Sequence, residues 1–164
     1  MHNKYLIFLP TVFLVILVDQ LTKFYVMRGM QLHESFTVVP GLINLTYVRN
    51  PGAAFGFLAY APSMLRISFF IAITVLAVGL IIYYVVKSKK EEQLLILALA
   101  LILGGALGNL IDRMCFGEVV DFIDVFISIH HWPAFNIADS AISLGAFFML
   151  LEMFKRGKED EAGG

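Results

Sequence analysis

The sequence predicts an all-α membrane protein, a bundle of four transmembrane helices with a small extracytoplasmic β hairpin or sheet between helices 1 and 2. Hydrophobic residues make up 59% of the 164, and mean hydropathy is +0.82. A soluble domain has roughly 45–50% apolar and about 25% charged residues, whereas only 15% are charged here. Four segments also reach the length of about 20 apolar residues that crosses a bilayer.

The predicted spans are Tyr5–Val26, Ser63–Val86, Gln93–Ile111 and Ala134–Phe154. The first span follows Lys4 as in a signal peptide, but the polar stretch DQLTK follows it and no small-x-small cleavage site does. It is therefore expected to be a retained anchor. Residues 1–154 are expected to form one membrane domain, and 155–164 (KRGKEDEAGG) a disordered cytoplasmic tail.

Basic residues predict the orientation, because they are enriched in cytoplasmic segments. Seven map to one end of the bundle and four to the other. Both termini and the 87–92 loop are therefore predicted to be cytoplasmic, and residues 27–62 and 112–133 to face outward. The seven are Lys4, Lys87, Lys89, Lys90, Lys155, Arg156 and Lys158; the four are Arg28, Arg49, Arg66 and Arg113.

The outer segment 27–62 is too long for a passive connection. Within it, FTVVPGLINLTYV has a Pro-Gly turn signal between two runs rich in β-branched residues. Such a pattern is typical of a hairpin. We expect this hairpin to lie on the outer membrane surface.

Unusual polar residues converge on the outer end of the four predicted spans. Ionisable groups within a membrane are costly to bury and tend to mark functional sites. This convergence predicts one site at the outer end. Its members are Asp19, Lys23, Asn50, Asn109, Arg113, Asp121, Asn136 and Asp139.

Helical spacing sharpens this prediction, because Asn109 and Arg113 are four residues apart and Asn136 and Asp139 three apart, so each pair shares a helix face. Pro133 suits the first turn of span 4, which would place Asp139 about 8–9 Å along the helix. Small residues in GGALG and SAISLGA permit close packing of spans 3 and 4. That packing would bring two carboxylates, Asp121 and Asp139, together.

Two adjacent carboxylates do not both ionise easily, so one keeps its proton. Such a pair can activate a water molecule while protonating a substrate carbonyl, as in aspartic proteases. This chemistry requires no serine, cysteine or metal.

Five motifs occur in order along the chain: DQLTK, NPGAAFG, GALGNLIDR, GEVVDFIDV and PAFNIADSAI. Together they resemble the bacterial lipoprotein signal peptidases (signal peptidase II) over residues 5–154. The resemblance implies an aspartyl endopeptidase of the bacterial cytoplasmic (inner) membrane, with its active site toward the periplasmic or outer face.

The resemblance also implies substrate and site. The substrate would be a prolipoprotein whose cysteine carries diacylglycerol, cut just before that cysteine by the catalytic pair Asp121 and Asp139. We expect contact with membrane phospholipid, a monomeric enzyme, and no cofactor, metal or nucleic acid. The residues implied to support the pair or contact substrate are Asp19, Asn50, Asn109, Arg113 and Asn136.

Structural roles remain open for several of these residues. Asp121 and Asp139 can be a helix cap and a buried hydrogen-bonding acid, and Asp124 is an alternative partner, although on a strand it would point away from Asp121 or lie farther on. Lys23 favours an ion pair with Asp19 at the i,i+4 spacing. Arg113 can snorkel to the interface or position the dyad or a phosphate headgroup. Asn109 and Asn136 can serve only to join helices.

Two other functions fit a small polytopic protein, namely a proton-coupled transporter and a non-enzymatic lipid-binding subunit. The acids cluster at one end instead of reaching the midplane, and no pair of interrupted spans suggests an inverted repeat. Adjacent His130 and His131 point apart, which disfavours a metal site. The single cysteine, Cys115, is expected to be inert.

Overall fold

The computed structural model describes residues 3–52, 58, 60–89 and 91–163, excluding the side chains of residue 3 and residues 156–163. Its four helices are α1 (Asn3–Gly29), α2 (Ser63–Lys87), α3 (Gln93–Phe116) and α4 (Ile137–Gly163). Each contains a stretch long and apolar enough to cross a membrane. The predicted architecture of four spanning helices with a small sheet is therefore confirmed.

The end of α3 and the start of α4 both differ from the predicted boundaries. Helix α3 runs five residues beyond Ile111, and Gly117 ends it with φ +77 while donating its N–H to the carbonyl of Arg113 at 3.0 Å. A left-handed glycine is a common helix terminator because it has no Cβ to clash. Helix α4 begins at Ile137, three residues later than predicted, so Pro133 precedes the helix.

Helix α4 continues to Gly163, through most of the segment expected to be a disordered tail. Residues 155–163 are rich in Lys, Glu and Asp and include an alanine. Lys, Glu and Ala are strong helix formers, and an existing helix extends without a new nucleation step. These residues therefore extend α4; Gly164 lies outside the described residues.

Helix α3 packs closely against α1 and α4 through glycine. A Cβ added at Gly104 would lie 2.8 Å from Cβ of Val15 on α1, and one at Gly105 would overlap the backbone of Ala138 on α4. One at Gly145 would lie 2.7 Å from the carbonyl oxygen of Ala98. The close approach predicted for spans 3 and 4 is present, and α1 makes a similar approach.

At the end of the bundle that contains the start of α1 and the end of α2, Lys4 joins these two helices. Its Nζ donates to the carbonyls of Val85, Val86 and Ser88 at 2.8–2.9 Å. Terminal helix carbonyls lack partners within their own helix and carry partial negative charge, so a lysine there is stabilising. An apolar cluster around Phe8, Ile81, Val85, Ile96, Leu99 and Leu103 fills this end.

The sheet has four antiparallel strands in the order β1-β2-β3-β4: β1 (Ser35–Val39), β2 (Ile43–Asn50), β3 (Val119–Ile127) and β4 (His130–His131). The predicted hairpin is β1–β2, with Gly41 at φ +75 in its turn. The sheet is larger than the expected hairpin, because β3 and β4 come from the segment between α3 and α4. Pairing of β3 with β2 places Asn50 opposite Val119 and Val48 opposite Asp121.

A second apolar cluster fixes this sheet to the end of α1. Val26 packs with Tyr47 of β2 and with Val120 and Phe122 of β3, and all four are buried. Alternate residues of a strand face opposite sides, but the side chain of Asp121, between Val120 and Phe122, is buried as well. Strand β3 therefore carries an ionisable group into the protein interior.

Candidate active site

A cavity of about 630 Å³ opens between the sheet and the helices. The apolar part of its lining includes Ile73, Val119, Trp132, Phe135 and Ile142. The polar part brings together five of the eight residues predicted to converge, namely Asn50, Asn109, Arg113, Asp121 and Asp139.

Asp121 reaches the cavity from β3 with its side chain 1% exposed. Its two oxygens accept separate amide hydrogen bonds, Oδ1 from Nδ2 of Asn136 at 2.7 Å and Oδ2 from Nδ2 of Asn50 at 3.0 Å. Burial raises the pKa of Asp121 to about 7, and the charge of Asp139 contributes in the same direction. The hydrogen bonds from Asn50 and Asn136 oppose that rise. Asp121 therefore titrates near neutral pH.

Asp139 lies in the first turn of α4, beside the residue that caps the helix. Oδ1 of Asn136 accepts the N–H of Asp139 at 2.9 Å, and Oδ2 of Asp139 accepts the N–H of Asn136 at 3.2 Å. This reciprocal pair is a capping box with aspartate in the acidic position. Because α4 begins at Ile137, Asp139 is near the helix start and not the predicted 8–9 Å along it.

Two asparagines connect the carboxylates. Nδ2 of Asn136 donates to Asp121 and also contacts Oδ1 of Asn109 at 3.1 Å and the carbonyl of Val120 at 3.2 Å. Nδ2 of Asn109 donates to Oδ1 of Asp139 at 2.8 Å. Asn109 therefore joins α3 to α4 through Asp139, while Asn136 contacts both Asp121 and Asp139.

A buried ionic cluster lies behind the asparagines. Nζ of Lys23 is 2.9 Å from Oδ2 of Asp19 and 2.9 Å from Oδ2 of Asp112, and it donates to Oδ1 of Asn109 at 3.0 Å. All three ionic side chains are 0–1% exposed. The ion pair expected between Lys23 and Asp19 is present, with Asp112 as a second acidic partner.

Asp19 supports the site without lining the cavity. Its Oδ1 accepts the N–H of Ala138 at 2.9 Å, at the start of α4. A Cβ at Gly108 would lie 2.6 Å from Oδ2 of Asp19, so glycine is what allows this carboxylate to pass between the helices. Asp19 thereby fixes the N-terminus of α4, where Asp139 is located.

Arg113 lines the cavity instead of snorkelling away from it. Its Nη2 donates to the carbonyl of Gly52 at 3.1 Å, and its guanidinium lies 4.1 Å from the ring centroid of Phe70. Gly52 also donates its N–H to Oδ1 of Asn50 at 3.0 Å. Arg113 and Asn50 thus hold Gly52 at the edge of the cavity.

The model of the signal peptidase (SPase) II family matches residues 11–155 of the chain. The chain belongs to the signal peptidase II family. It is 52% identical over 159 residues to the lipoprotein signal peptidase of Syntrophus aciditrophicus, covering 97% of this chain and 99% of that protein. It is 48% identical over 149 residues to that of Syntrophotalea carbinolica, covering 91% of both.

Two solved structures, each described as a bacterial membrane enzyme, have the same fold. One superposes with a TM-score of 0.84 at 35% identity, covering 92% of this chain and 89% of the other. The second gives 0.81 at 34% identity, with 94% and 98% covered. Together with the four spans, these relationships make this signal peptidase II a bacterial multi-pass membrane protease involved in lipoprotein processing.

Asp124 lies apart from the cavity of this signal peptidase II. It is three residues beyond Asp121 on β3 and so points to the other face, where Asn44 donates to it at 3.0 Å. Nδ1 of His131 contacts it at 2.8 Å, and the imidazole stacks on Phe126 at 4.9 Å. Within the described ranges, no group of three or more His, Cys, Asp and Glu side chains is arranged to hold a metal ion.

Asp112 and Gln20 are site residues that the sequence reasoning missed. Oδ2 of Asp112 accepts the N–H of Val120 at 3.0 Å, which fixes the start of β3. Gln20 donates to Asp19, to Asp112 and to the carbonyl of Gly108 at 3.0–3.1 Å. Asp112 follows Asn109 at the i,i+3 spacing that places two residues on one helix face, which was the available signal.

Proposed function

We propose that this signal peptidase II removes the signal peptide from prolipoproteins whose cysteine is diacylglyceryl-modified, cutting just before that cysteine. Water would be activated by Asp121 and Asp139, acting as an aspartic dyad. The observation that carries the proposal is that both carboxylates line one cavity and are joined through Asn109 and Asn136. Asn50 and Arg113 complete the polar side of that cavity, and Asp19 supports it from behind.

The dyad would act with one carboxylate charged and the other protonated. The charged member takes a proton from water while the water oxygen attacks the carbonyl carbon of the scissile peptide. The protonated member donates its proton to the carbonyl oxygen, which gives a neutral gem-diol. The carboxyl that took a proton from water then gives it to the leaving nitrogen, while the other carboxylate takes a hydroxyl proton from the gem-diol. The C–N bond breaks, a carboxyl and an amino terminus are released, and the dyad returns to its starting protonation.

The pKa of about 7 for Asp121 suits this role. A group that exchanges protons during catalysis is most effective when its pKa lies near the working pH. An ordinary aspartate, with a pKa of 3.8, would rarely be protonated at neutral pH. Burial of Asp121 beside Asp139 thus supports a shared-proton mechanism that requires neither a metal ion nor a cofactor.

The position of the cavity suits a substrate held in the bilayer. The apolar residues Ile73 and Ile142 belong to spanning helices, whereas the sheet covers the other side of the cavity. With both termini in the cytoplasm, the site opens toward the periplasmic or outer face, where water is available. A monomer then suffices to receive a lipid-anchored prolipoprotein and its surrounding phospholipid.

Cleavage of a diacylglyceryl-modified prolipoprotein by purified protein in detergent tests this proposal. Asp121→Asn and Asp139→Asn are each expected to reduce turnover at least about a thousandfold, because each removes one of two proton-transfer groups. Asp124→Asn is the matched control, since this strand aspartate points away from the cavity, and it should retain turnover. Thermal melts verify folding; folded Asp121→Asn and Asp139→Asn variants that still cut would overturn the catalytic assignment.

A further inference from the structure

The orientation of the Asn109 side-chain amide determines whether Asp139 of the dyad faces a hydrogen-bond donor or an acceptor. A carboxamide has an oxygen that accepts and an NH2 group that donates, and rotation by a half turn exchanges them. Here the oxygen faces Lys23 and Asn136, while the NH2 group faces Asp139. The opposite orientation would place the NH2 group against an ammonium and the oxygen against a carboxylate.

The three acceptors around the Lys23 ammonium match its three N–H donors. An ammonium has three N–H donors, and the three acceptors around Nζ are Asp19, Asp112 and Oδ1 of Asn109, all at 2.9–3.0 Å. The lysine side chain is 1% exposed. Because a buried donor without a partner is expensive, the ammonium holds the oxygen of Asn109 toward itself.

We propose, resting on the peptidase function above, that Lys23 is a positioning residue: its ammonium fixes the direction of the Asn109 amide, which then donates to Asp139 and keeps Asp139 the charged member of the dyad. Lys23 itself does not line the cavity. It acts through Asn109, whose two ends contact the ammonium and the carboxylate.

The surroundings of the two acids favour the same assignment. Asp139 lies at the N-terminus of α4, where backbone N–H groups and the helix dipole stabilise negative charge, and it accepts the N–H of Asn136. Asp121 lies on a strand, and the side-chain amides of Asn50 and Asn136 donate to it. The shared proton therefore belongs on Asp121.

Charged groups from four elements surround the contacts that link Lys23, Asn109 and Asp139. Helix α1 contributes Asp19 and Lys23, α3 contributes Asp112 and Arg113, β3 contributes Asp121, and α4 contributes Asp139. Arg113 lines the cavity with both acids, so its charge stabilises the dyad anion directly. With Asp121 protonated, two cations face three carboxylates. Loss of either cation or of the amide donor should make the dyad anion harder to form.

The first test is Asn109→Asp, which keeps the shape of the side chain. One oxygen still accepts from Lys23 and Asn136, whereas the other places an acceptor where Asp139 requires a donor. The acidic limb of the pH–rate profile should move to higher pH by about one unit. At the original optimum, kcat should fall about tenfold or more while KM changes less.

The second test removes the ammonium together with one of its counter-charges, in the double variant Lys23→Met with Asp19→Asn. The acidic limb should move in the same direction. Lys4→Met is the matched control: it removes a lysine that makes three hydrogen bonds at the opposite end of the bundle. It should lower the melting temperature and leave the limb in place.

Infrared spectroscopy near pH 6 locates the proton without relying on activity of a variant. The band of a protonated carboxyl should be present in the wild type, disappear in Asp121→Asn and persist in Asp139→Asn. A folded Asn109→Asp variant with the wild-type pH profile, or a band lost only in Asp139→Asn, would overturn the positioning role. Cleavage by Asp121→Asn or Asp139→Asn would instead overturn the peptidase dyad itself.

Discussion

At the scale of single residues, burial changes what an aspartate can do. Asp121 and Asp124 lie three positions apart on the same strand, yet only Asp121 is enclosed between the sheet and the helices. Asp124 contacts the half-exposed imidazole of His131 instead. The same residue type thus provides a titrating group near neutral pH at one position and a hydrogen-bonding partner of a half-exposed imidazole at the other.

The raised pKa of Asp121 predicts how stability depends on pH. The folded protein keeps the proton of Asp121 up to a pKa of about 7, whereas the unfolded chain loses it near 3.8. Its contribution to stability is therefore complete below about pH 4 and is lost as the pH rises through 7. Between pH 5 and 8, the free energy of unfolding of the wild type should fall by on the order of 2–3 kcal/mol relative to that of Asp121→Asn.

Melting curves in detergent at several pH values measure this difference. The melting temperature of the wild type minus that of Asp121→Asn should decrease steadily from pH 5 to pH 8. Asp124→Asn again serves for comparison, because the carboxyl it removes lies outside the cavity. A difference independent of pH would show that Asp121 ionises with an ordinary pKa.

The residues that meet at the cavity could be expected from the sequence, but their contacts could not. Asp121, Asp139, Asn50, Asn109 and Asn136 were all expected at the outer end, because polar residues in apolar surroundings are conspicuous. Asp112 escaped notice because it is adjacent to Arg113 and resembles half of a surface ion pair. Its partnership with Lys23 depends on how α1 rotates against α3, and helical spacing within one segment does not contain that information.

At the scale of elements, glycine sets the distance between α3 and α4. Gly105→Ala would place a methyl group against the backbone of Ala138, one residue before Asp139. The helix would have to move, so both the melting temperature and the turnover should fall, with kcat down about tenfold or more, since small misplacements of catalytic groups are costly.

Gly79→Ala is the matched control for that substitution, because nothing lies within 4 Å of a Cβ at this position of α2. Alanine is favoured over glycine in a helix interior by about 1 kcal/mol. The melting temperature of Gly79→Ala should be equal to that of the wild type or slightly higher, with turnover unchanged. Equal behaviour of the two alanine variants would contradict the close approach of α3 and α4.

Strands β1, β2 and β3 of the sheet could be predicted from sequence, but the pairing of β2 with β3 could not. The β1–β2 hairpin was visible from a Pro-Gly turn between two strand-like runs. Strand β3 was recognisable as strand-like in VVDFIDV, but its pairing with β2 joins residues about 70–80 positions apart, such as Asn50 and Val119. No local pattern encodes that partner, although the pairing is what brings the amide of Asn50 to Asp121.

At the scale of the whole molecule, the inferred orientation can be tested with the native cysteine. Cys115 is exposed, lies near the end of α3 that carries the cavity, and is the single cysteine of the chain. A membrane-impermeant maleimide should label it from the outside of intact spheroplasts. Orientation with both termini in the cytoplasm rests on the distribution of Lys and Arg.

The matched control moves the thiol to the opposite end, in the variant Cys115→Ser with Ser88→Cys. Ser88 follows α2 at the end where Lys4 binds its carbonyl. This variant should be labelled only after the membrane is permeabilised. Labelling of Ser88→Cys in intact spheroplasts, with Cys115 protected, would reverse the orientation.

The capping box at the start of α4 also bears on when this protease first becomes able to act. Asn136 and Asp139 lie on the last helix, and the N–H of Ala138 is bound by Asp19, 119 residues earlier. During translation, Asp19 and Ala138 can therefore meet only after α4 has been synthesised. A nascent chain with only α1, α2 and α3 inserted lacks Asp139, one of the two carboxylates that line the cavity, so assembly of the cavity waits for α4.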